Sequence, residues 1–155
     1  MSLITIFRVS SQGMTAERMR LEAAAANLAN ANTTRTAEGG PYRRRDVVFE
    51  TVPVETPSAS FDSFSSAMSA TVPDLTAPIV GVQAKTVITE NQAGVRRFQP
   101  DHPDSDANGY VTLPDVDPLE ETINMLSAAR AFEANATAFN TAKELVRASL
   151  KLSEA

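Results

Sequence analysis

Met125-Leu-Ser-Ala-Ala-Arg-Ala-Phe132-Glu-Ala-Asn-Ala-Thr-Ala-Phe139-Asn-Thr-Ala-Lys-Glu-Leu-Val146 carries a large apolar residue at every seventh position. Ala129, Ala136 and Leu150 fill the intervening places, and Lys143 is the one polar member. A seven-residue apolar recurrence is the mark of a helix that packs along its length against other helices. Upstream, Asp117-Pro118-Leu-Glu120 supplies a start signal: an aspartate N-cap, a proline at the first helical position and a glutamate at the third. Glu121 adds negative charge at that end, and Lys143, Arg147 and Lys151 cluster near the other, so both ends complement the helix dipole. A helix over residues 118–152 would be roughly 50 Å long, more than a compact domain of this size requires. Some of its packing partners are therefore expected to be other molecules.

The opposite end of the chain repeats the theme less strictly. Ile4, Phe7, Met14, Leu21, Ala25 and Leu28 form a 3-and-4 stripe interrupted by Ser11 and Arg18. The spacing predicts a helix over residues 3–31, stopped where Asn27, Asn30 and Asn32 offer a left-handed conformation. Between the helices the pattern changes. Val47, Val48, Phe49 and Val52 predict a strand within residues 42–54, with Arg43-Arg44-Arg45 as a charged edge or subunit contact at its entry. Residues 55–78 are rich in Ser, Ala, Thr and Pro and are expected to form a long loop. A second strand over residues 79–89 is expected to pair with residues 95–98 across a turn at 91–94, and residues 110–113 are again extended. The fold class is α+β: an N-terminal axial helix (1–34), a β-rich middle (35–116) and a C-terminal axial helix (117–155). The two helices are expected to form an antiparallel, coiled-coil-like core.

Composition restricts the function classes. Of 155 residues 43% are hydrophobic but only 6% aromatic, so alanine supplies much of the apolar count and the core is expected to be thin. A net charge of -5 opposes a nucleic-acid partner, which calls for a basic face. The absence of cysteine excludes disulfides, thiol catalysis and cysteine metal sites. Met1-Ser-Leu-Ile-Thr-Ile-Phe-Arg8 lacks the features of a cleaved secretory signal, and no apolar run approaches membrane-spanning length.

Two stretches invite a chemical role and neither sustains it. Asp104, Asp106, Asn108 and Gly109 match the first half of a calcium loop, but position 12 is Asp115 after Pro114, and Pro100 and Pro103 exclude an incoming helix. An Asn108-Gly109 turn preceded by solvated acids accounts for the same residues. His102, the single histidine, sits in Pro100-Asp-His-Pro103 with no nucleophile motif near it. No cofactor, metal site or enzymatic activity is expected.

Particular residues point further. Met14-Thr-Ala-Glu-Arg-Met-Arg-Leu-Glu-Ala-Ala-Ala-Ala-Asn-Leu-Ala-Asn-Ala-Asn-Thr33 resembles the N-terminal signature of flagellar rod and hook proteins. Gly40-Pro-Tyr-Arg-Arg-Arg-Asp-Val-Val-Phe49, Arg97-Phe-Gln-Pro-Asp-His-Pro103 and the run from Asp106 through Asp117 to Asn135 resemble the proximal rod members of that family. The resemblance implies a structural subunit of the flagellar basal-body rod, located in the periplasm, exported by the flagellar type III apparatus without a cleaved signal. Its implied partners are other rod proteins and copies of itself, with no nucleic acid and no stable membrane insertion. Met14, Leu21, Leu28, Met125, Phe132, Phe139, Val146 and Leu150 are the expected subunit-interface residues. The alternative is a peripheral module whose N-terminal helix lies on a membrane surface through Arg8, Arg18 and Arg20.

Overall fold

The computed structural model describes residues 3–53, 80–88 and 94–153. The order is helix α1 (Leu3–Ala29), strands β1 (Arg45–Pro53), β2 (Val80–Ile88), β3 (Val95–Phe98) and β4 (Tyr110–Leu113), then helix α2 (Pro118–Ser153). The architecture is α+β, as the patterning predicts. The long Ser/Ala/Pro-rich stretch expected over residues 55–78 lies outside the described residues.

Helix α2 begins where the sequence places it. The Asp117 Oδ1 accepts the Leu119 N–H at 2.8 Å, and its backbone carbonyl accepts the Glu121 N–H at 3.0 Å. Helix α1 stops two residues earlier than expected and by a different device. No non-glycine residue among those described has a positive φ, so no asparagine turns left-handed. Instead the Asn30 Nδ2 donates to the Ala26 carbonyl at 2.8 Å, satisfying one of the last carbonyls, and the Thr33 hydroxyl donates to Asn30 Oδ1 at 3.2 Å.

The two helices run antiparallel. Phe7 meets Phe139 edge-to-face with ring centroids 4.9 Å apart, Arg20 Nη2 donates to Asn124 Oδ1 at 3.4 Å, and Asn27 reaches Glu121. Ascending numbers on α1 thus match descending numbers on α2. Their contact is lined by small residues, with Ala16, Ala24, Ala128 and Ala142 all buried. At Gly13 the approach is closest, because a β-carbon there would lie 2.9 Å from the Asn135 side chain. A glycine inside a helix is unfavourable by roughly 1 kcal/mol, and here it lets the partner helix come in.

Strand pairing departs from expectation. β2 pairs antiparallel with β1, from Arg45 opposite Ile88 to Pro53 opposite Val80, and not with β3. β3 pairs with β4, Phe98 facing Tyr110. Sequence proximity favoured the short connection, but closure entropy grows only with the logarithm of loop length. The nine-residue β1–β2 ladder also packs on α1, which half-buries Val47 and Val52 of β1 and Val82 and Ala84 of β2 and buries Gly81. The β3–β4 pair has its own local turn. Asp106 Oδ1 accepts the N–H groups of Asn108 (2.8 Å) and Tyr110 (2.9 Å), and of Asn108-Gly109 only Gly109 takes a positive φ, +79°. The Thr34 hydroxyl ties this loop to the end of α1 by donating to Asp104 Oδ2 at 2.7 Å.

Candidate functional site

Among the described residues, the most buried polar side chains meet at one point, where the end of α1, the entry to β1 and the start of α2 converge. Asn27 and Glu121 are each 1% exposed. Every hydrogen-bonding position of the Asn27 amide is used. Its Nδ2 donates to the Arg45 carbonyl (2.9 Å) and to Glu121 Oε2 (3.2 Å), while its Oδ1 accepts the Arg45 N–H (2.9 Å) and the Tyr42 hydroxyl (3.0 Å). A buried amide so satisfied fixes the relative position of three segments, because displacing any of them strands a polar group.

Glu121 is neutralised from the other side by Arg44, whose Nε donates to Glu121 Oε1 at 2.8 Å. The same guanidinium reaches Glu120 through Nη2 (2.9 Å) and Asp46 through Nη1 (3.5 Å). Burial alone would lower the Arg44 pKa, but the hydrogen bond to Glu121 and the charges of Asp46, Glu121 and Glu120 hold it above its ordinary value. Burial pushes the neighbouring Tyr42 hydroxyl up, the Arg45 charge opposes that, and Glu121 adds to it. The three arginines expected at a charged strand edge therefore split: Arg43 and Arg45 are exposed, whereas Arg44 turns inward among carboxylates. Glu120, the glutamate at the third helical position, is an acceptor for Arg44.

The calcium-like stretch is engaged in a turn. Besides its two backbone bonds, Asp106 receives Arg96 Nη2 at 2.7 Å on Oδ2, and the Arg96 guanidinium lies 4.9 Å over the Tyr110 ring. The Tyr110 N–H, foremost among these donors, holds the Asp106 carboxyl below its ordinary range. Among the described residues no three His, Asp or Glu side chains gather as a metal site would require. The His102 Nδ1 accepts the Asp104 N–H at 3.1 Å and so braces its own loop.

Of the expected interface residues, Met14, Leu21, Leu28, Met125, Phe139 and Val146 are half-buried, while Phe132 is 38% and Leu150 58% exposed. The line of deepest burial on α2 runs through Glu121, Ala128 and Ala142, rotated by roughly 50° about the helix from the expected stripe. Small residues pack closest to α1, and the larger ones line the margin of the contact. Because Phe7 and Phe139 touch, the two expected stripes converge on one side of the pair. The Arg20–Asn124 and Asn27–Arg45 bonds mark the other side, where β1 and β2 lie. A second set of large residues on α2, among them Leu119, Ile123, Leu126 and Leu145, is more than half exposed.

The arginines proposed for a membrane surface do not form a basic, membrane-facing array. Arg18 pairs with Glu22 at 2.9 Å, and Arg20 turns toward Asn124. The exposed side of α1, through Arg8, Ser11, Thr15, Arg18 and Glu22, is polar. Among the described residues no helix is long and apolar enough to cross a membrane.

Paired long helices, held by a buried polar staple and bearing apolar residues on sides that the described residues do not cover, define a structural type of subunit. Comparison with known proteins agrees. A family described as "Flagella basal body rod protein" matches residues 7–35, and one described as "Flagellar basal body rod FlgEFG protein C-terminal" matches residues 107–152. The flagellar basal-body rod protein FlgC of Borreliella burgdorferi is 34% identical over 98% of both chains. The proteins of that name from Salmonella typhimurium and Bacillus subtilis are each 32% identical, over 99% and 93% of this chain and 100% and 93% of their own. The chain belongs to the FlgC family of flagellar basal-body rod proteins and is a structural subunit of that rod.

Proposed function

We propose that this rod subunit polymerises through its helix pair into the axial tube that transmits torque, with other rod proteins and copies of itself as neighbours. The observation that carries this is the length and exposure of α2. Its 36 residues span about 54 Å against about 40 Å for the 27 residues of α1, so α2 is longer than the helix it pairs with. Repeating one heterologous contact through a rotation that does not close builds a helical tube. Interlocked helices resist twist because their side chains cannot pass one another without unpacking. Met14, Leu21, Leu28, Met125, Phe132, Phe139, Val146 and Leu150 belong to the surface that neighbours complete. The middle region, residues 35–116, makes the more peripheral contacts.

Delivery is by the flagellar type III export apparatus without removal of an N-terminal signal, and the chain has no catalytic role. A cysteine-free sequence is compatible with passage through a narrow channel unfolded, since no disulfide has to be reduced first. The test is fractionation. Basal bodies isolated from cells carrying the gene should contain the intact chain, starting at its encoded N-terminus, and cells lacking it should have no filaments. A chain recovered only in the cytoplasm or membrane fraction would contradict the assignment.

A further inference from the structure

Asn108-Gly109 is the single Asn-Gly pair in the sequence. An asparagine followed by glycine can close on itself, because the glycine backbone nitrogen, unshielded by any β-carbon, lies within reach of the asparagine side-chain carbonyl carbon. A C–N bond forms there, and the side-chain nitrogen leaves as ammonia, taking the glycine N–H proton with it. Water then opens the succinimide ring at either carbonyl, leaving aspartate or isoaspartate at that position. The balance is one water consumed and one ammonia released, with no change of oxidation state. Asn108 is exposed, and its side-chain amide makes no hydrogen bond among the described residues.

The folded turn withholds the nucleophile. Successive backbone N–H groups all donate to Asp106: those of Asn108 and Tyr110 to its Oδ1 at 2.8 and 2.9 Å, and that of Gly109 between them to its backbone carbonyl at 2.9 Å. Arg96 holds the other carboxylate oxygen at 2.7 Å. Bringing the Gly109 nitrogen onto the Asn108 side-chain carbon requires rotating the peptide between the two residues, and that rotation carries the Gly109 and Tyr110 N–H groups away from Asp106. The proton that has to leave is itself bound to the Asp106 carbonyl. From this arrangement we propose that Asn108 is a self-modification site, its reactants the Gly109 nitrogen and water, and that Asp106 holds the reaction in check in the folded subunit. The product matters to the hairpin. Isoaspartate routes the main chain through the former side chain and lengthens it by one atom, so the Gly109 N–H no longer meets the Asp106 carbonyl across the same turn, and the connection that sets Phe98 opposite Tyr110 is altered. A chain that reacts before folding carries a changed hairpin, whereas one that folds first is protected.

The purified subunit is incubated in mildly alkaline buffer with and without urea. Modified residues are located by peptide mass spectrometry, and isoaspartate is read by enzymatic methylation. In urea the modification is expected first at Asn108, and in buffer the same site should react about tenfold or more slowly. Asp106→Ala should return the rate in buffer toward that in urea while circular dichroism shows both helices retained, a combination that general loss of structure would not give. Asp106→Asn keeps a neutral acceptor in the same place and should fall between the native chain and Asp106→Ala; if Asp106→Ala does not fold, Asp106→Asn decides alone. Asn108→Gln should leave the turn unmodified, because its longer side chain would have to close a larger ring. Equal rates at Asn108 in buffer and in urea, a first modification in urea at another asparagine, or folded Asp106 variants as slow as the native chain would each overturn the proposal.

Discussion

Asn27 and Glu121 are 94 positions apart in sequence, and their side chains hydrogen-bond at 3.2 Å with both residues almost wholly buried. The bond closes the helix pair at one end, and Arg44 and Arg45 bring the first strand into the same junction. The helix contact elsewhere is lined largely by alanine, which buries little area. The junction therefore matters more to the subunit than a single polar contact would in a thick core.

Replacing Asn27 with leucine removes the partners of the Tyr42 hydroxyl and of both backbone groups of Arg45. A loss of about 2–4 kcal/mol is expected, since buried polar groups left without partners are costly. Glu121→Gln keeps an acceptor for Asn27 but gives up the charge facing Arg44, and should lose less, about 1–2 kcal/mol. Urea unfolding followed by circular dichroism measures both. Equal midpoints for native and Asn27→Leu protein would show that the network does not secure the fold.

Gly13→Leu is expected to push the helices apart, because even a β-carbon would lie 2.9 Å from the Asn135 side chain. The loss should be about 1–3 kcal/mol, typical of overpacking. Gly13→Ala should be milder, since the obstructing atom is the end of a side chain that can rotate. Gly109→Ala is unfavourable on two counts, a φ of +79° and a β-carbon 2.9 Å from the Phe98 ring, and should cost at least about 1 kcal/mol. Thermal unfolding of the three variants ranks them; a Gly13→Leu protein as stable as Gly13→Ala would refute the close approach.

The β3–β4 turn should loosen on acidification. The folded carboxyl of Asp106 sits below its unfolded value because it accepts the Tyr110 and Asn108 N–H groups and Arg96. Its contribution is complete above the unfolded carboxylate pKa, about 4, and is lost as pH falls through the lower folded value. The Tyr110 and Asn108 amide resonances should shift together in that window. In Asp106→Asn they should show no such titration; a persisting transition would assign it to another group.

Much of this arrangement was open to inspection in the linear chain, and the failures share a cause. The start of α2 was legible because Asp117 caps its own next turn, a purely local interaction. The existence of four strands was legible from β-branched clusters, but periodicity does not identify a partner, and β2 pairs across the long connection. The closest approach within the subunit lies roughly 50° round the helix from the stripe of Phe132 and Met125, because alanines and Gly13 permit the tightest packing there, and the spacing of large residues does not mark it. Arg44 could not be told from Arg43 or Arg45 without knowing where the acids Glu120 and Glu121 return in space. The staple of Asn27 with Glu121 is likewise non-local, although an amide in the Asn27-Leu-Ala-Asn30 motif at a helix end was a signal available in the sequence.

The end of α2 should be the least protected part of either helix. With Phe7 opposite Phe139, residues beyond about 146 run past the first turn of α1, and Leu152 is 81% exposed. Amide exchange in the dilute subunit should be about tenfold or more faster over residues 147–153 than over 121–142. Uniform protection along α2 would contradict this ranking.

The central claim, that apolar helix faces and not a chemical site perform the function, is tested most directly by complementation of a null strain. Motility is scored beside the protein's presence in isolated basal bodies. Phe132→Asp and Leu126→Asp place a carboxylate where a neighbour should pack, a change costing several kcal/mol when the charge is buried unpaired. Both variants should be made yet be missing from the rod, leaving cells without filaments, while Glu133→Gln and His102→Ala swim normally. Full motility with both aspartate variants, or its loss with His102→Ala alone, would contradict the account.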